Sequence, residues 1–281
     1  MKNTLLYLIT ISLVLIIDRE SGQSQPTGYA PQFSTNELSC VYLIIYHENF
    51  GTSFTLDYKG RQYLITARHV VDGIKEFDSI QVFLRGELKT YSVNSIVCSD
   101  PSIDITILAL NQLLVSYPGV NGLHVTDGHF SLIQDVYYMG FPYGMHGMTN
   151  AKLDMYFPII KRGLLSSIGG LTPSDKIYVI DGFNNEGFSG GPILLYNSEV
   201  KEYQVGAVIQ SYRYQIDTVY DNLQEYNRLD SLFRVHAIKD KPVMHPTDQY
   251  VLSNTGIFFG SSLGYAIKEI VKKPIGFKIP N

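Results

Sequence analysis

Gly187-Phe188-Ser189-Gly190-Gly191-Pro192 stands between a polar stretch, Gly182 to Glu186, and the apolar run Pro192 to Tyr196. A serine between glycines on a tight turn can expose its hydroxyl while nearby backbone N–H groups converge on one point, as an acyl-transfer nucleophile requires. Taken alone, the same string is also a glycine-rich turn with an incidental serine. Its meaning depends on what the rest of the chain brings to it.

Two segments supply the partners such a serine needs. Leu64-Ile65-Thr66-Ala67-Arg68-His69-Val70 is an apolar strand ending at His69, whose imidazole can take and return a proton near neutral pH. Ser102 to Leu110 (SIDITILAL) is a second apolar strand, opened by Asp104, which can orient an imidazole if it points inward. Each is ambiguous singly, since a histidine at a strand end is commonly structural and a strand-edge aspartate commonly a cap. Together they give the chain order His69, Asp104, Ser189, each within the strand pattern that two barrels demand.

Glycine and tyrosine are plentiful and charged residues make up only 17% of the 281 positions, a balance that favours strands and turns over long surface helices. Strands are expected at Val41 to Tyr46, Ser53 to Tyr58, Arg61 to Thr66, Ser79 to Leu84 and Ile103 to Leu110. A second series is expected at Val136 to Met139, Pro158 to Ile160, Gly163 to Ser167, Lys176 to Ile180, Pro192 to Tyr196, Gln204 to Gln210 and Ile257 to Gly264. Many short strands and few helices point to closed antiparallel barrels. One helix, Ala266 to Lys272, places Ile267, Ile270 and Val271 on one face before Pro274. Residues 212–254, polar and tyrosine-rich and broken by Pro242 and Pro246, read as a long insertion from the second barrel.

With the three segments in place, the chain resembles the trypsin-like (chymotrypsin-fold) serine peptidases, and most of all the HtrA (Deg) type. Gly51 to Gly73 (GTSFTLDYKGRQYLITARHVVDG) is similar to the family's Gly-x-Gly-Phe strand and histidine strand. Tyr137 to Met145 resembles the HtrA-type Gly-x-Pro-x-Gly segment, and Gly163 to Gly170 its Gly-ϕ-ϕ-Ser strand. Ile180 to Pro192 resembles its nucleophile loop, and Ser261 to Lys273 its Gly-Phe-Ala-ϕ strand-to-helix ending. The resemblance covers about Leu38 to Lys273. It implies an all-β fold of two six-stranded antiparallel Greek-key barrels at about 38–125 and 132–265, a C-terminal helix, and an active site in the cleft between the barrels. Ser189 would be nucleophile, His69 general base and acid, and Asp104 the group orienting the imidazolium. The N–H groups of Gly187 and Ser189 would form the oxyanion hole.

Departures from the pattern refine this expectation. Phe188 stands where digestive-type members carry the aspartate that pairs with a new N-terminus, and no Ile-Val-Gly-Gly-like start exists, so no zymogen switch of that kind is implied. Arg68 replaces a usual small residue and is expected to project to solvent. Too few residues follow Lys273 for the PDZ module that HtrA-type proteins usually carry. By resemblance, the substrate pocket is assigned to Phe183, Asn184, Glu186, Ile209, Gln210, Ser211, Leu263 and Gly264. Phe183 in place of trypsin's aspartate gives it an apolar floor and an uncharged preference at P1, although Glu186 could favour a cation at the rim.

Lys2 precedes an apolar run from Leu5 to Ile17, shorter than the ~20 residues of a membrane-spanning helix, so residues 1–25 read as an export signal, with anchoring through residues 4–17 as the alternative. Residues 26–37 read as a linker, residues 38–275 as the peptidase domain, and the protein as periplasmic or secreted. An exported Cys40 and Cys98 are open to disulfide pairing or to separate burial. Neither these nor the remaining histidines have metal-ligand spacing, so no metal or cofactor is expected. A net charge of −4 without a basic cluster argues against nucleic acid, leaving a protein or peptide substrate as the partner. A catalytically inactive binding module of the same fold is the alternative from another class, and an esterase using the same triad is a third reading.

Overall fold

The computed structural model describes residues 32–116, 119–126, 131–148, 156–169, 177–220, 223–235 and 246–280. The expected export segment lies outside them, and no helix among the described residues is long and apolar enough to cross a membrane. Six strands build a first barrel: β1 Val41–Tyr46, β2 Asn49–Tyr58, β3 Arg61–Thr66, β4 Phe77–Leu84, β5 Glu87–Val97 and β6 Thr106–Leu110. They run in the order β3-β2-β1-β4-β5-β6, and a β3–β6 pairing returns the sheet on itself. The main strands of the second are β7 Asp135–Gly140, β10 Ile159–Gly169, β11 Ile177–Asp181, β12 Pro192–Asn197, β13 Glu202–Tyr220 and β14 Pro246–Ser262. A two-stranded ribbon, β8 Gly147–Met148 with β9 Tyr156–Phe157, stands apart.

Traced from β11, the closed second barrel runs β11-β10-β7-β12-β13-β14 and back to β11. By local rank this is 3-2-1-4-5-6, the first barrel's order, with the Greek-key placement of the fourth strand beside the first. The chain thus repeats one topology without repeating its sequence. Apolar residues inside each barrel make its own core, including Tyr42, Ile44 and Leu108 in the first and Tyr138, Ile180 and Phe258 in the second. A third cluster packs Leu56 and Ile65 with Met139, Phe141, Leu194 and Leu263, joining the two halves.

Several elements depart from the sequence reading. The expected strands at Pro158 to Ile160 and Gly163 to Ser167 are one strand, β10, bent by a bulge between Leu165 and Ser167. Strand β5 was not anticipated: half of it is exposed and polar, and its place comes from pairing with β4 and β6. Most of residues 212–254 is no loop, because β13 and β14 continue as a paired ribbon from Tyr214↔Asn254 to Tyr220↔Pro246, with helix α2 Leu223–Arg234 between them. The last part of the expected linker, residues 32–37, is ordered against the domain. A capping box at Ser34 and Glu37 starts helix α1, Thr35–Ser39, and Phe33 stacks on Tyr203 with ring centroids 3.9 Å apart. At the other end, helix α3 Gly264–Lys272 precedes β15 Phe277–Lys278, which pairs with β3 and so carries the chain past residue 275 back to the first barrel.

Thr52 of β2 ties the barrels together. Its N–H donates to the Ser189 carbonyl at 2.8 Å, its hydroxyl donates to the Gly187 carbonyl at 2.6 Å and accepts from the Phe141 N–H at 3.1 Å. Its own carbonyl accepts from the Thr66 hydroxyl at 2.8 Å. The residue is fully buried, so each broken bond would leave a polar group without water.

Thr52→Val keeps the shape and removes the hydroxyl; it should lower the unfolding free energy by about 1–3 kcal/mol in urea titrations, with Thr52→Ser restoring most of the loss. Cys40 and Cys98 are both buried free thiols, and burial pushes each up to about 12. Neither should therefore react with Ellman's reagent in the native protein, and both should react once urea unfolds it.

Candidate active site

His69 lies in a 3-10 turn, Arg68–Val71, entered directly from β3 and pinned by buried Val70 and Val71. Asp104 lies between Ile103 and Ile105, both buried, so the apolar neighbours are drawn into the core and the carboxylate is left at its edge. Its Oδ2 stands 2.6 Å from Nδ1 of His69, and its Oδ1 accepts from the His69 backbone N–H at 3.0 Å. A carboxylate only accepts, so Nδ1 carries the hydrogen, and in the neutral ring the lone pair is left on Nε2. The second bond fixes the turn as well as the ring.

Arg68 does not project to solvent as expected. Its Nη2 donates to the carbonyls of Cys98 (2.6 Å) and Asp100 (3.2 Å), and its Nη1 to that of Pro101 (3.1 Å). The guanidinium thus binds the segment that leads into Asp104 to the turn that carries His69. Asp100 braces that segment from within, accepting from both the N–H and the hydroxyl of Ser102.

Ser189 sits on a turn that only glycine can close. Gly187 has φ +95° and Gly190 φ +84°, backbone that side chains disfavour. A Cβ on Gly187 would come within 2.3 Å of the Phe141 carbonyl, and one on Gly190 within 2.2 Å of the Thr52 carbonyl. That second Cβ would also stand 2.7 Å from the Ala67 nitrogen, so the turn that carries Ser189 lies against the residues just before His69. The Ser189 hydroxyl donates to the Gln210 carbonyl at 3.2 Å, and no hydrogen bond joins it to His69 among the described residues. The N–H groups of Gly187 and Ser189 donate to no protein acceptor among those residues, whereas Gly190 and Gly191 donate to Ile209 and Phe188. Phe188 is buried against Tyr138 in the second barrel, an environment hostile to the charge that an aspartate would bring.

The assigned pocket residues divide. Gln210 borders the Ser189 turn through its carbonyl, and Ser211 follows it opposite Phe259, with Gly260 next along the ladder opposite Ile209. Ile209 turns its side chain into the barrel core. Leu263 is buried in the core between the barrels, and Gly264 opens α3, because strand β14 ends at Ser262, earlier than the expected Gly264. Phe183 is 56% exposed and so forms no floor, while Asn184 is buried and Glu186 exposed. Instead, Lys161 of β10 reaches the loop, donating to the Phe183 carbonyl at 2.7 Å and to Asn185 Oδ1 at 2.5 Å. The sequence signal for it was available: Lys161 is in phase with Ile159 and Leu165 in strand alternation, hence on the inward face. Farther along β13, an open groove of about 730 Å³ is lined by Tyr212, Tyr214, Ile216, Thr255 and Phe259 among others. Among the described residues no cluster of His, Cys, Asp and Glu has the arrangement of a metal site.

Comparison with known proteins gives the family. No curated protein matches the chain. Of solved structures, the active form of the Rv3671c protease from M. tuberculosis is 17% identical over 92% of this chain and 99% of its own, with a TM-score of 0.50. The HtrA-type protease AlgW with a tripeptide is 20% identical over 85% of this chain and 60% of its own (TM-score 0.49). The MamO protease domain from Magnetospirillum magneticum is 11% identical over 83% and 97% (TM-score 0.46). The model of the trypsin-like peptidase domain family matches residues 51–200, a span that includes His69, Asp104 and Ser189 together with the strands around them. The chain belongs to that family, and is a serine endopeptidase of trypsin-like type.

Proposed function

We propose that the enzyme cleaves peptide bonds of exported or envelope proteins through His69, Asp104 and Ser189. The observation that supports this is the pair of hydrogen bonds joining Asp104 to the ring and the backbone of His69, beside a Ser189 turn that packs against Ala67. Nε2, left with its lone pair, takes the proton from the Ser189 hydroxyl as Oγ attacks the scissile carbonyl. The imidazolium, held and stabilised by Asp104, then passes that proton to the leaving amine. In the resting geometry the hydroxyl bonds to the Gln210 carbonyl, so turning it toward Nε2 is the first step. Such bonds commonly tighten only when substrate is bound.

The unengaged N–H groups of Gly187 and Ser189 are the proposed oxyanion donors. Losing one donor of this kind costs on the order of 3 kcal/mol in barrier. The positive φ of Gly187 is what makes its N–H available, so a side chain there would damage the hole through the backbone. Export rests on the Leu5 to Ile17 run, with residues 4–17 as a membrane anchor if that segment is retained.

A fluorophosphonate probe should label the wild-type enzyme at Ser189 and leave Ser189→Ala unlabelled. A folded wild type that resists labelling would overturn the triad and leave a binding module. Asp104→Asn should lower kcat on the order of 10³- to 10⁴-fold with a small change in KM, because the ring would then favour the wrong tautomer. Steady-state kinetics on an unfolded protein substrate would measure it.

A further inference from the structure

Lys161 stands opposite Tyr138 in the β10–β7 ladder. Directly paired residues share a face of the sheet, and Tyr138 is fully buried inside the second barrel. The lysine stem therefore runs inward, and its ammonium emerges at the end of the barrel beneath the 183–188 loop. There it stands 5.0 Å from the centre of the Phe188 ring, the residue before the proposed nucleophile.

An ammonium has three donors. Two go to the Phe183 carbonyl and Asn185 Oδ1, and no carboxylate forms an ion pair with Lys161 among the described residues. Partial burial pulls its pKa below the ordinary lysine value, as expected for a cation held without an anion. A brace needs no charge, since a neutral donor would hold two carbonyl oxygens with less desolvation. A carboxylate arriving with a ligand would take the third donor and neutralise the charge.

We propose that Lys161 is a specificity-determining residue that selects substrates with an acidic side chain, glutamate or aspartate, immediately before the scissile bond. The inference rests on the endopeptidase reading for its placement, because the loop that Lys161 holds runs directly into Ser189. It replaces the uncharged preference drawn from Phe183, whose ring faces solvent. Glutamate is favoured over its amide because only the acid neutralises the ammonium.

Peptides that differ only in the residue before the scissile bond (Glu, Asp, Gln, Leu, Lys) test it with the full chain. Wild type should cleave the Glu peptide at least about tenfold better in kcat/KM than the Gln peptide, the size of effect one charge-assisted hydrogen bond supplies. Lys161→Met should erase that ratio while still cleaving Gln and Leu peptides, and Lys161→Arg should retain it. Equal rates on Glu and Gln in wild type, or a uniform loss across all peptides in Lys161→Met, would overturn the proposal and leave Lys161 a brace. Should Lys161→Met not fold by circular dichroism, the wild-type ratio and Lys161→Arg decide. Absence of both cleavage and probe labelling would instead sink the endopeptidase reading. Equilibrium binding of the same peptides to Ser189→Ala then decides the acidic preference by itself: Glu above Gln supports it, and equal affinity refutes it.

Discussion

The hydrogen bonds of Thr52 are the constraint on which the rest of the structure depends. One fully buried residue of the first barrel binds the carbonyls of Gly187 and Ser189 and the N–H of Phe141, all from the second. None of these groups has water as an alternative, so a slide of one barrel against the other would strand several of them together. Apolar packing at the same junction resists separation but is non-directional. The hydrogen bonds supply the register that packing cannot.

That register matters because the proposed catalytic residues are divided between the halves. His69, Asp104 and the Arg68 clamp belong to the first barrel, while the turn that carries Ser189 belongs to the second. Each half holds its own groups through hydrogen bonds within that half, and neither can set the distance between them. Thr66, whose hydroxyl donates to the Thr52 carbonyl, lies three residues before His69 on the strand that leads into its turn. The junction and His69 are therefore parts of one stiff segment, and a disturbance at Thr52 reaches both His69 and the turn that carries Ser189.

The loop before the nucleophile obeys a different logic. Residues 183–188 are held by Tyr143 N–H at the Glu186 carbonyl, by the Asn254 amide at the Asn184 carbonyl, and by Lys161 from below. The first two are neutral contacts that serve position alone. The third places a charge where position alone would not require one, and this asymmetry sets Lys161 apart from its neighbours as a group suited to a ligand. The β13–β14 ribbon, which leaves the barrel just past Gln210, extends an exposed surface rich in tyrosine from the same edge.

The sequence by itself determined the double-barrel architecture, and it marked the residues proposed to carry the chemistry. Glycines that only a closed turn requires, and apolar strands ending in His69 and opening at Asp104, are local signals, legible because local backbone preference and alternation produce them. Strand β5 was not legible, since its polar, half-exposed sequence becomes a strand only through its neighbours. The assigned pocket residues divide for a related reason: β14 ends at Ser262, so that Leu263 falls in the core between the barrels, and the outward turn of Phe183 depends on what fills the space beneath it. Thr52, Arg68 and Lys161 act through partners tens of residues away, and nothing in their own surroundings along the chain announces those partners. Burial and hydrogen bonding across the two barrels were decided by the tertiary structure alone, because the cost of an unpaired buried group exists only once distant segments have excluded water from it.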